Sequence, residues 1–186
     1  IVVSAGPSLK NDIEELKKAK SKGFIIAVDT VAKYLLDNDL KPDIVVAVDM
    51  IKEMRFFDDD RLKDIPLAIH LDINHSVLEA RDGENIILAS SDNPIYNDLI
   101  REYGCRIDSI PQGGSVANMA YSLAVYWGFK KVVLVGQDLA MTSDTVHVGE
   151  ESFDRDSYGR HLYKIPGSYE DYVYSTEDFM LYIKWF

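Results

Sequence analysis

Six short apolar runs recur along the chain, separated by longer stretches of mixed polarity. They are Ile1–Val3, Phe24–Val28, Ile44–Val48, Leu67–Leu71, Asn85–Ala89 and Lys131–Val135. Most of them are apolar without interruption, and this pattern is typical of strands that are buried on both faces of a parallel sheet. The runs therefore predict six strands of one sheet.

Helical patterns lie between these runs. Asn11–Lys22 and Thr30–Asn38 each place apolar residues on one side, and Ser115–Trp127 is the most apolar of the three. We expect the last helix to be the most buried. The alternation predicts a Rossmann-like, open, mostly parallel α/β sheet with helices on both faces, and the length suits a single domain over residues 1–186.

The carboxyl-terminal part of the chain has a different pattern. Thr142–Tyr163 is polar and aromatic, and we expect a long functional or flexible segment there. Ile165–Gly167 predicts a turn and Tyr172–Tyr174 a short strand. Ser175 or Thr176 then caps a final helix that ends at Trp185-Phe186. The acidic run Asp58–Asp60 is expected to be a solvated helix end or loop.

Composition narrows the class of protein. The 186 residues are 47% hydrophobic and 27% charged, with a net charge of -11, so nucleic acid and anionic lipid are repelled at long range. No apolar run approaches the roughly 18 residues of a membrane span, and we expect no membrane insertion. The lone Cys105 fits a reducing, cytoplasmic compartment. Because the chain starts inside a strand without Met, we expect a segment excised from a longer chain.

Polar and small residues follow most of the predicted strands. Ligands of open α/β sheets collect at the carboxyl ends of the strands. Ser4–Ser8 follow the first strand, and Gln137 and Asp138 follow the sixth. Asp29 and Thr30 follow the second strand, Asp49 follows the third, and Ser90, Ser91, Asp92 and Asn93 follow the fifth. This edge of the sheet is the predicted ligand site.

Two bends that contain glycine lead into helices at this edge. Gly6-Pro7-Ser8 and Gly113-Gly114-Ser115 can each aim the amides of a helix start at an anion, with Asn118 in the first turn of the second helix. The sequence lacks the full G-x-G-x-x-G spacing of a dinucleotide-binding loop. The alternatives are a plain strand-to-helix turn for the first bend, and close helix–sheet packing for the second.

Four side chains could carry the chemistry. Asp29 and Asp49 suit ribose hydroxyls, a divalent cation or helix capping, and Asp138 suits catalysis, an N-cap or a loop hydrogen bond. His147 lies in the polar segment after Asp138 and is a candidate general base. The four histidines lack metal-site spacing, and His70, inside a strand, is interpreted as structural.

The stretches "AGPSL", "PDIVVAVD" and "GGSVANMAYSLAVYWGFKKVVLVGQDLAMT", with His147, resemble one family. They are similar to the central domain of bacterial motility-associated factor glycosyltransferases, which is related to archaeal 6-hydroxymethylpterin pyrophosphokinases (MptE-like proteins). The resemblance spans nearly the whole chain.

The resemblance implies an enzyme that uses a CMP-activated nonulosonic acid as donor and a flagellin Ser or Thr as acceptor. It implies that Asp138 and His147 lie near the transferring carbon. It also implies that donor contacts come from the two bends, Gly6, Pro7, Ser8 and Gly113, Gly114, Ser115, and we expect further contacts from Asp29, Asp49, Asn93, Asn118, Gln137 and Thr142.

Two other functions stay open. Diphosphate transfer from ATP to a pterin-like alcohol would need Mg²⁺, for which Asp49 and Asp138 are candidate ligands. A non-catalytic module that binds a nucleotide sugar is the third possibility.

Overall fold

The structure is a computed structural model. It describes residues 1–49, 56–81, 85–90, 93–104, 106–142, 145–149, 159, 161–168 and 170–186. Cys105 and most of the polar segment after Thr142 lie outside the described residues.

A parallel sheet forms the centre of the fold. Within the described ranges it has six strands: β1 (Val2–Val3), β2 (Ile26–Val28), β3 (Ile44–Ala47), β4 (Leu67–His70), β5 (Ile86–Ala89) and β6 (Leu134–Val135). Their order is β5-β4-β3-β2-β1-β6, and each neighbouring pair is parallel. All six strands predicted from the apolar runs are confirmed, each shorter than its run by one to three residues.

Helices cover both faces of the sheet, as predicted. Those described are α1 (Leu9–Ala19), α2 (Asp29–Asp37), α3 (His75–Glu79), α4 (Pro94–Glu102), α5 (Val116–Tyr126) and α6 (Glu177–Trp185). α1 and α2 pack on the face that carries Val3 and Ala27, and α5 packs on the opposite face with Val2 and Ile26.

α5 is the most buried helix, which confirms the prediction from its apolar pattern. Met119, Ala120 and Leu123 contact the sheet, and each is at most 2% exposed. Ser115 caps the helix, because its hydroxyl accepts a hydrogen bond from the Asn118 amide at 3.2 Å. α1 and α2 begin one or two residues earlier than their patterns predicted.

The outer strands differ from the prediction of full burial. In β5, Ile87 and Leu88 are 40% and 46% exposed, and in β6 Leu134 is 37% exposed. Both strands lie at the edges of the described sheet, where one side lacks a covering neighbour. Continuous apolar sequence therefore predicted strand position correctly but overestimated burial at the edges.

A two-stranded antiparallel hairpin stands apart from the main sheet. It pairs β7 (Tyr163–Pro166) with β8 (Tyr172–Ser175). The predicted turn at Ile165–Gly167 is wrong for its first two residues, which belong to β7, because Pro is tolerated on a strand with an open edge. β8 is anchored through Tyr174, whose backbone exchanges two hydrogen bonds with Met141 at 2.7 and 2.9 Å.

The predicted strand at Tyr172–Tyr174, the final helix and the solvated acidic run are confirmed. Thr176 caps α6, since its hydroxyl accepts from the Phe179 amide at 3.3 Å. The acidic run lies at a 3₁₀ turn, Asp60–Leu62, whose cap is the Asp59 carboxylate. Arg61 donates to that carboxylate and lowers the pKa of Asp59 to about 2.

The strand order creates a reversal point between β1 and β6. From β1 the chain adds β2 to β5 on one side, and after α5 it returns to place β6 on the other side of β1. The loops that follow β1 and β6 therefore begin side by side, which is where open α/β sheets have their ligand crevice.

We predict that Gly136→Ala destabilises the protein more than Gly128→Ala. Both glycines have positive φ, +65° and +81°, so each alanine costs about 1–2 kcal/mol in backbone strain. Only at Gly136 would the added Cβ also collide with a backbone oxygen, that of Ser4, and such overpacking adds about 1–3 kcal/mol. Urea unfolding measures both free energies, and equal losses would contradict the close approach of β1 and β6.

Candidate functional site

The segments that follow β1 and β6 are joined by backbone hydrogen bonds. The Ser4 amide donates to Val135 at 2.9 Å, and the Gly6 amide donates to Gly136 at 2.8 Å. A Cβ on Gly6 would lie 2.5 Å from the Gly136 oxygen and 2.5 Å from Cγ of Asp138. Glycine is therefore required at position 6 by space.

Asp138 caps α1 from the other side of the reversal point. Its Oδ2 accepts from the Ser8 amide at 2.7 Å, and its Oδ1 accepts from the Ser8 hydroxyl at 2.5 Å. A carboxylate at a helix amino terminus is stabilised by the helix dipole. This corrects the expectation that the amides of the first bend are free for an anionic ligand, because the Ser8 amide is bound to Asp138.

A cavity of about 140 Å³ lies at this junction. We call it the crevice cavity, and the residues of its wall include Ser4, Gly6, Ser115, Gln137, Asp138 and His147. Residues from both glycine bends thus line one space, although they are more than 100 positions apart in the chain. Five of these six were predicted site residues.

The loop that carries His147 is held against the end of β1. The Val148 amide donates to the Ala5 oxygen at 2.7 Å, and Val148 is buried. His147 itself is half-buried and lines the crevice cavity. The backbone hydrogen bond of Val148, the residue after His147, therefore holds His147 near Asp138.

The second bend presents its helix start to the cavity, while its glycines face α6. Ser115, Val116 and Ala117 line the crevice cavity. A Cβ on Gly113 would lie 2.5 Å from the Trp185 ring, and a Cβ on Gly114 would lie 2.8 Å from Tyr182. The two glycines thus allow close packing against helix α6, not the helix–sheet packing that was the alternative, and Ser115 is the residue of this bend that lines the cavity.

Two aromatic residues at the cavity were missed from the sequence. Phe179 and Tyr182 of α6 form part of its wall. They are three positions apart, so they lie on one face of the helix, and this spacing was the signal available in the sequence. The pair gives the cavity an apolar wall opposite its polar residues.

Asn118 is buried behind the second bend. Its Oδ1 accepts from the Ser115 hydroxyl, and its Nδ2 has no hydrogen-bond partner in the part of the chain that is described. Asn118 therefore orients Ser115 rather than lining the cavity.

Besides Gly113, Gly114 and Asn118, three predicted site residues at the ends of other strands do not line the crevice cavity. Asp29 is buried and accepts from the Thr30 amide at 2.7 Å. Asp49 is exposed beyond β3, and Asn93 caps α4 by accepting from the Ile95 amide at 3.0 Å. β3 and β5 are two and four strands away from β1. For Asp49 and Asn93 the cause is topological, since β3 and β5 lie away from the reversal point. Asp29 follows β2, whose end reaches the cavity through Val28 and Thr30, but its own carboxylate is buried against the Thr30 amide.

The predicted pair of magnesium ligands is also separated. Asp138 is bound to Ser8 above β1, and Asp49 follows β3, so about two strand spacings, or roughly 10 Å, lie between them. Among the described residues no group of three or more His, Cys, Asp or Glu side chains could hold a metal ion. Asp49 and Asp138 thus do not form one site.

A second cavity, of about 300 Å³, lies between α1 and the β7–β8 hairpin. We call it the hairpin cavity, and its walls include Ser8, Lys10, Asp138, Ile165, Glu170 and Val173. The predicted site residues Pro7 and Thr142 line this cavity. Gln137, Asp138 and Ala140 line both cavities, so they form a shared wall.

His70 lies at the end of β4, three strands from β1, and is fully buried. Its Nδ1 is 3.1 Å from the Asp72 carboxylate, which also accepts from the Tyr96 hydroxyl. Burial lowers the pKa of His70 and favours its neutral form. These contacts agree with a structural role.

The fold and site define an open α/β protein with a ligand crevice at its reversal point. The family model described as "6-hydroxymethylpterin diphosphokinase MptE-like" matches residues 1–144, and the chain belongs to this family. The resemblance predicted from the sequence is therefore confirmed.

A solved structure with a similar fold is that of MAf glycosyltransferase from Magnetospirillum magneticum AMB-1. It matches with a TM-score of 0.68 and 21% sequence identity, over 96% of this chain and 28% of that chain. The chain thus spans little more than a quarter of that protein. No curated protein sequence matches the chain. None of the described helices is long and apolar enough to cross a membrane.

We predict that Asp138 and Ser8 are energetically coupled. Asp138→Asn removes the charge that faces the α1 amino terminus and weakens two hydrogen bonds, which costs about 1.5–3 kcal/mol of unfolding free energy. Ser8→Ala removes only the hydroxyl bond. In a double-mutant cycle measured by urea unfolding, we expect a coupling energy of at least about 0.5 kcal/mol.

Asp12→Asn is the matched control, because it removes the same charge from the first turn of α1. We expect it to lose about 0.3–1 kcal/mol through the helix dipole alone. Additive effects of the Ser8 and Asp138 variants would contradict the bond between the Ser8 hydroxyl and Asp138. A loss at Asp138→Asn no larger than that at Asp12→Asn would show that the carboxylate does not cap α1.

Proposed function

We propose that the protein is a cytoplasmic glycosyltransferase. It moves a nonulosonic, sialic-acid-like sugar from a CMP donor to a Ser or Thr hydroxyl of a flagellin-like protein. The observation that supports this proposal most is the crevice cavity, where Asp138, His147 and the α5 amino terminus meet at the reversal point of an MptE-like fold.

The donor phosphate binds at the start of α5. This helix has 11 residues, and its first turn lines the cavity. The exposed amides and dipole of a helix start attract an anion without a metal ion. Such fixed dipoles also stabilise the charge that develops on a leaving phosphate.

The pairing of Asp138 with α1 makes this cavity acceptable to an anion. A free carboxylate beside the phosphate would repel it, but the Ser8 amide and hydroxyl and the α1 dipole offset the charge of Asp138. On a chain of net charge -11, this local compensation is needed for a negatively charged donor to bind.

The cavity holds only part of a nucleotide sugar. Its volume of about 140 Å³ is below the roughly 300–1,000 Å³ of pockets that enclose a whole ligand. It therefore takes the phosphate and the reacting carbon, and Phe179 and Tyr182 give one ring of the donor an apolar wall to stack on. The rest of the donor extends beyond the cavity.

Asp138 and His147 are the two groups in the cavity that can take the proton of the acceptor hydroxyl. The acceptor oxygen then bonds to the anomeric carbon, and CMP leaves with the electron pair of the broken C–O bond.

The second candidate function is diphosphate transfer from ATP to a pterin-like alcohol, and the family match favours it. It would use the same α5 amides for phosphate. Its Mg²⁺ would need a ligand other than the pair of Asp49 and Asp138, which the fold separates. If CMP binds but neither transfer occurs, the protein is a non-catalytic nucleotide-sugar module.

We predict that a negative charge introduced at position 115 weakens CMP binding. Calorimetry should show CMP binding at millimolar concentration or below. Ser115→Asp should weaken it by at least about tenfold, because it places a carboxylate beside the phosphate while it keeps a good helix cap.

Ser115→Asn is the matched control, since Asn caps equally well and carries no charge. Equal affinities of the two variants for CMP, or no CMP binding by a folded protein, would refute the donor site. Assays for CMP release from a CMP-nonulosonate with a flagellin-like acceptor, and for AMP release from ATP, Mg²⁺ and 6-hydroxymethylpterin, distinguish the two reactions.

A further inference from the structure

The hairpin cavity has the features of a second binding site beside the crevice cavity. Its volume of about 300 Å³ is twice that of the crevice cavity. Ile165 and Val173, both half-buried, give it an apolar floor, and the exposed Lys10 and Glu170 place opposite charges at its rim. Apolar walls with a few polar groups are typical of ligand sites.

Asp138 connects this cavity to the crevice cavity. Of the two candidate bases, Asp138 lines both cavities, and His147 lines only the crevice cavity. A group transfer needs the attacking hydroxyl on one side of the reacting carbon and the leaving phosphate on the other. Two cavities that share a carboxylate provide this arrangement.

We propose that the hairpin cavity binds the acceptor, and that Asp138 is the base that receives its proton. This inference rests on the proposed glycosyl transfer. The acceptor is a short, extended stretch of polypeptide whose Ser or Thr side chain enters the cavity next to Asp138. His147, on the other side, contacts the leaving phosphate.

The chemistry of Asp138 allows this role. Each carboxylate oxygen has two lone pairs, and Ser8 uses one on each oxygen. The acceptor hydroxyl donates to a remaining lone pair, its proton moves to Asp138, and its oxygen bonds to the anomeric carbon. The bond from that carbon to the phosphate oxygen breaks, and CMP takes the electron pair.

The rim of the cavity determines which peptides bind. Lys10 attracts an acidic residue next to the modified position, and Glu170 attracts a basic one. Ile165 contacts an apolar side chain of the peptide, since it forms part of the floor. The hairpin therefore carries acceptor specificity.

The test compares KM values for acceptor and donor in glycosyl transfer to synthetic Ser- and Thr-containing peptides. Ile165→Arg fills the cavity and should raise the acceptor KM by about tenfold or more. Lys10→Glu should shift the preference from peptides with acidic flanks towards peptides with basic flanks by about threefold. In both variants the donor KM should change by less than about twofold, since the crevice cavity contains neither residue.

Two matched controls accompany these variants. Ile87→Arg makes the same change at an exposed position of β5, and Lys22→Glu makes the same charge reversal beyond the far end of α1. Neither should change the acceptor KM or the flank preference. Lys10 is exposed, so its variant tests the site even if Ile165→Arg fails to fold.

The outcomes separate this inference from the proposed function. If both site variants keep the acceptor KM and the flank preference of the parent protein, the hairpin cavity is not the acceptor site. The proposed glycosyl transfer would still stand. If the parent protein neither binds CMP nor transfers the sugar, the proposed function is refuted, and the acceptor assignment with it.

Discussion

The site depends on the contact between the Asp138 carboxylate and Ser8 at the amino terminus of α1. The two hydrogen bonds to Ser8 join segments that are 130 residues apart. They tie the loop after β6 to the bend after β1, and the shared wall of both cavities is built on that junction. Gly6 and Gly136 allow it, because a Cβ at either position would collide with neighbouring atoms. The crevice is thus formed by one ion-to-helix contact and two close backbone approaches.

This contact also determines where an anion can bind. Two helix starts lie at the reversal point, and the first is already occupied by a protein carboxylate. The second, at Ser115, lines the crevice cavity. We therefore propose that phosphate binds at α5, with Asp138 close to the ligand and its charge offset. In this proposal, oriented dipoles replace the Lys and Arg side chains that phosphate sites commonly use, which suits an acidic protein.

Much of the fold could be predicted from sequence, because apolar runs and helical periodicity are local signals. The six strands, α1, α2 and α5 were found in this way. β7 was missed since Pro166 resembles a turn signal, and α3 and α4 were missed because they bury little apolar surface.

The site was harder to predict from sequence than the fold. Polar residues follow most strands, but only the strand order shows that β1 and β6 are neighbours, so Asp49 and Asn93 could not be separated from Gln137 and Asp138. The Ser8–Asp138 bond has no local signature.

The central claim is that the ligand phosphate lies at the start of α5 while Asp138 stays on Ser8. A crystal structure of the protein with bound CMP tests it most directly. We expect phosphate oxygens within about 3 Å of backbone amides in the first turn of α5, with both Ser8–Asp138 hydrogen bonds preserved. A phosphate bound to the Ser8 amide in place of Asp138, or CMP outside the crevice cavity, would contradict this account.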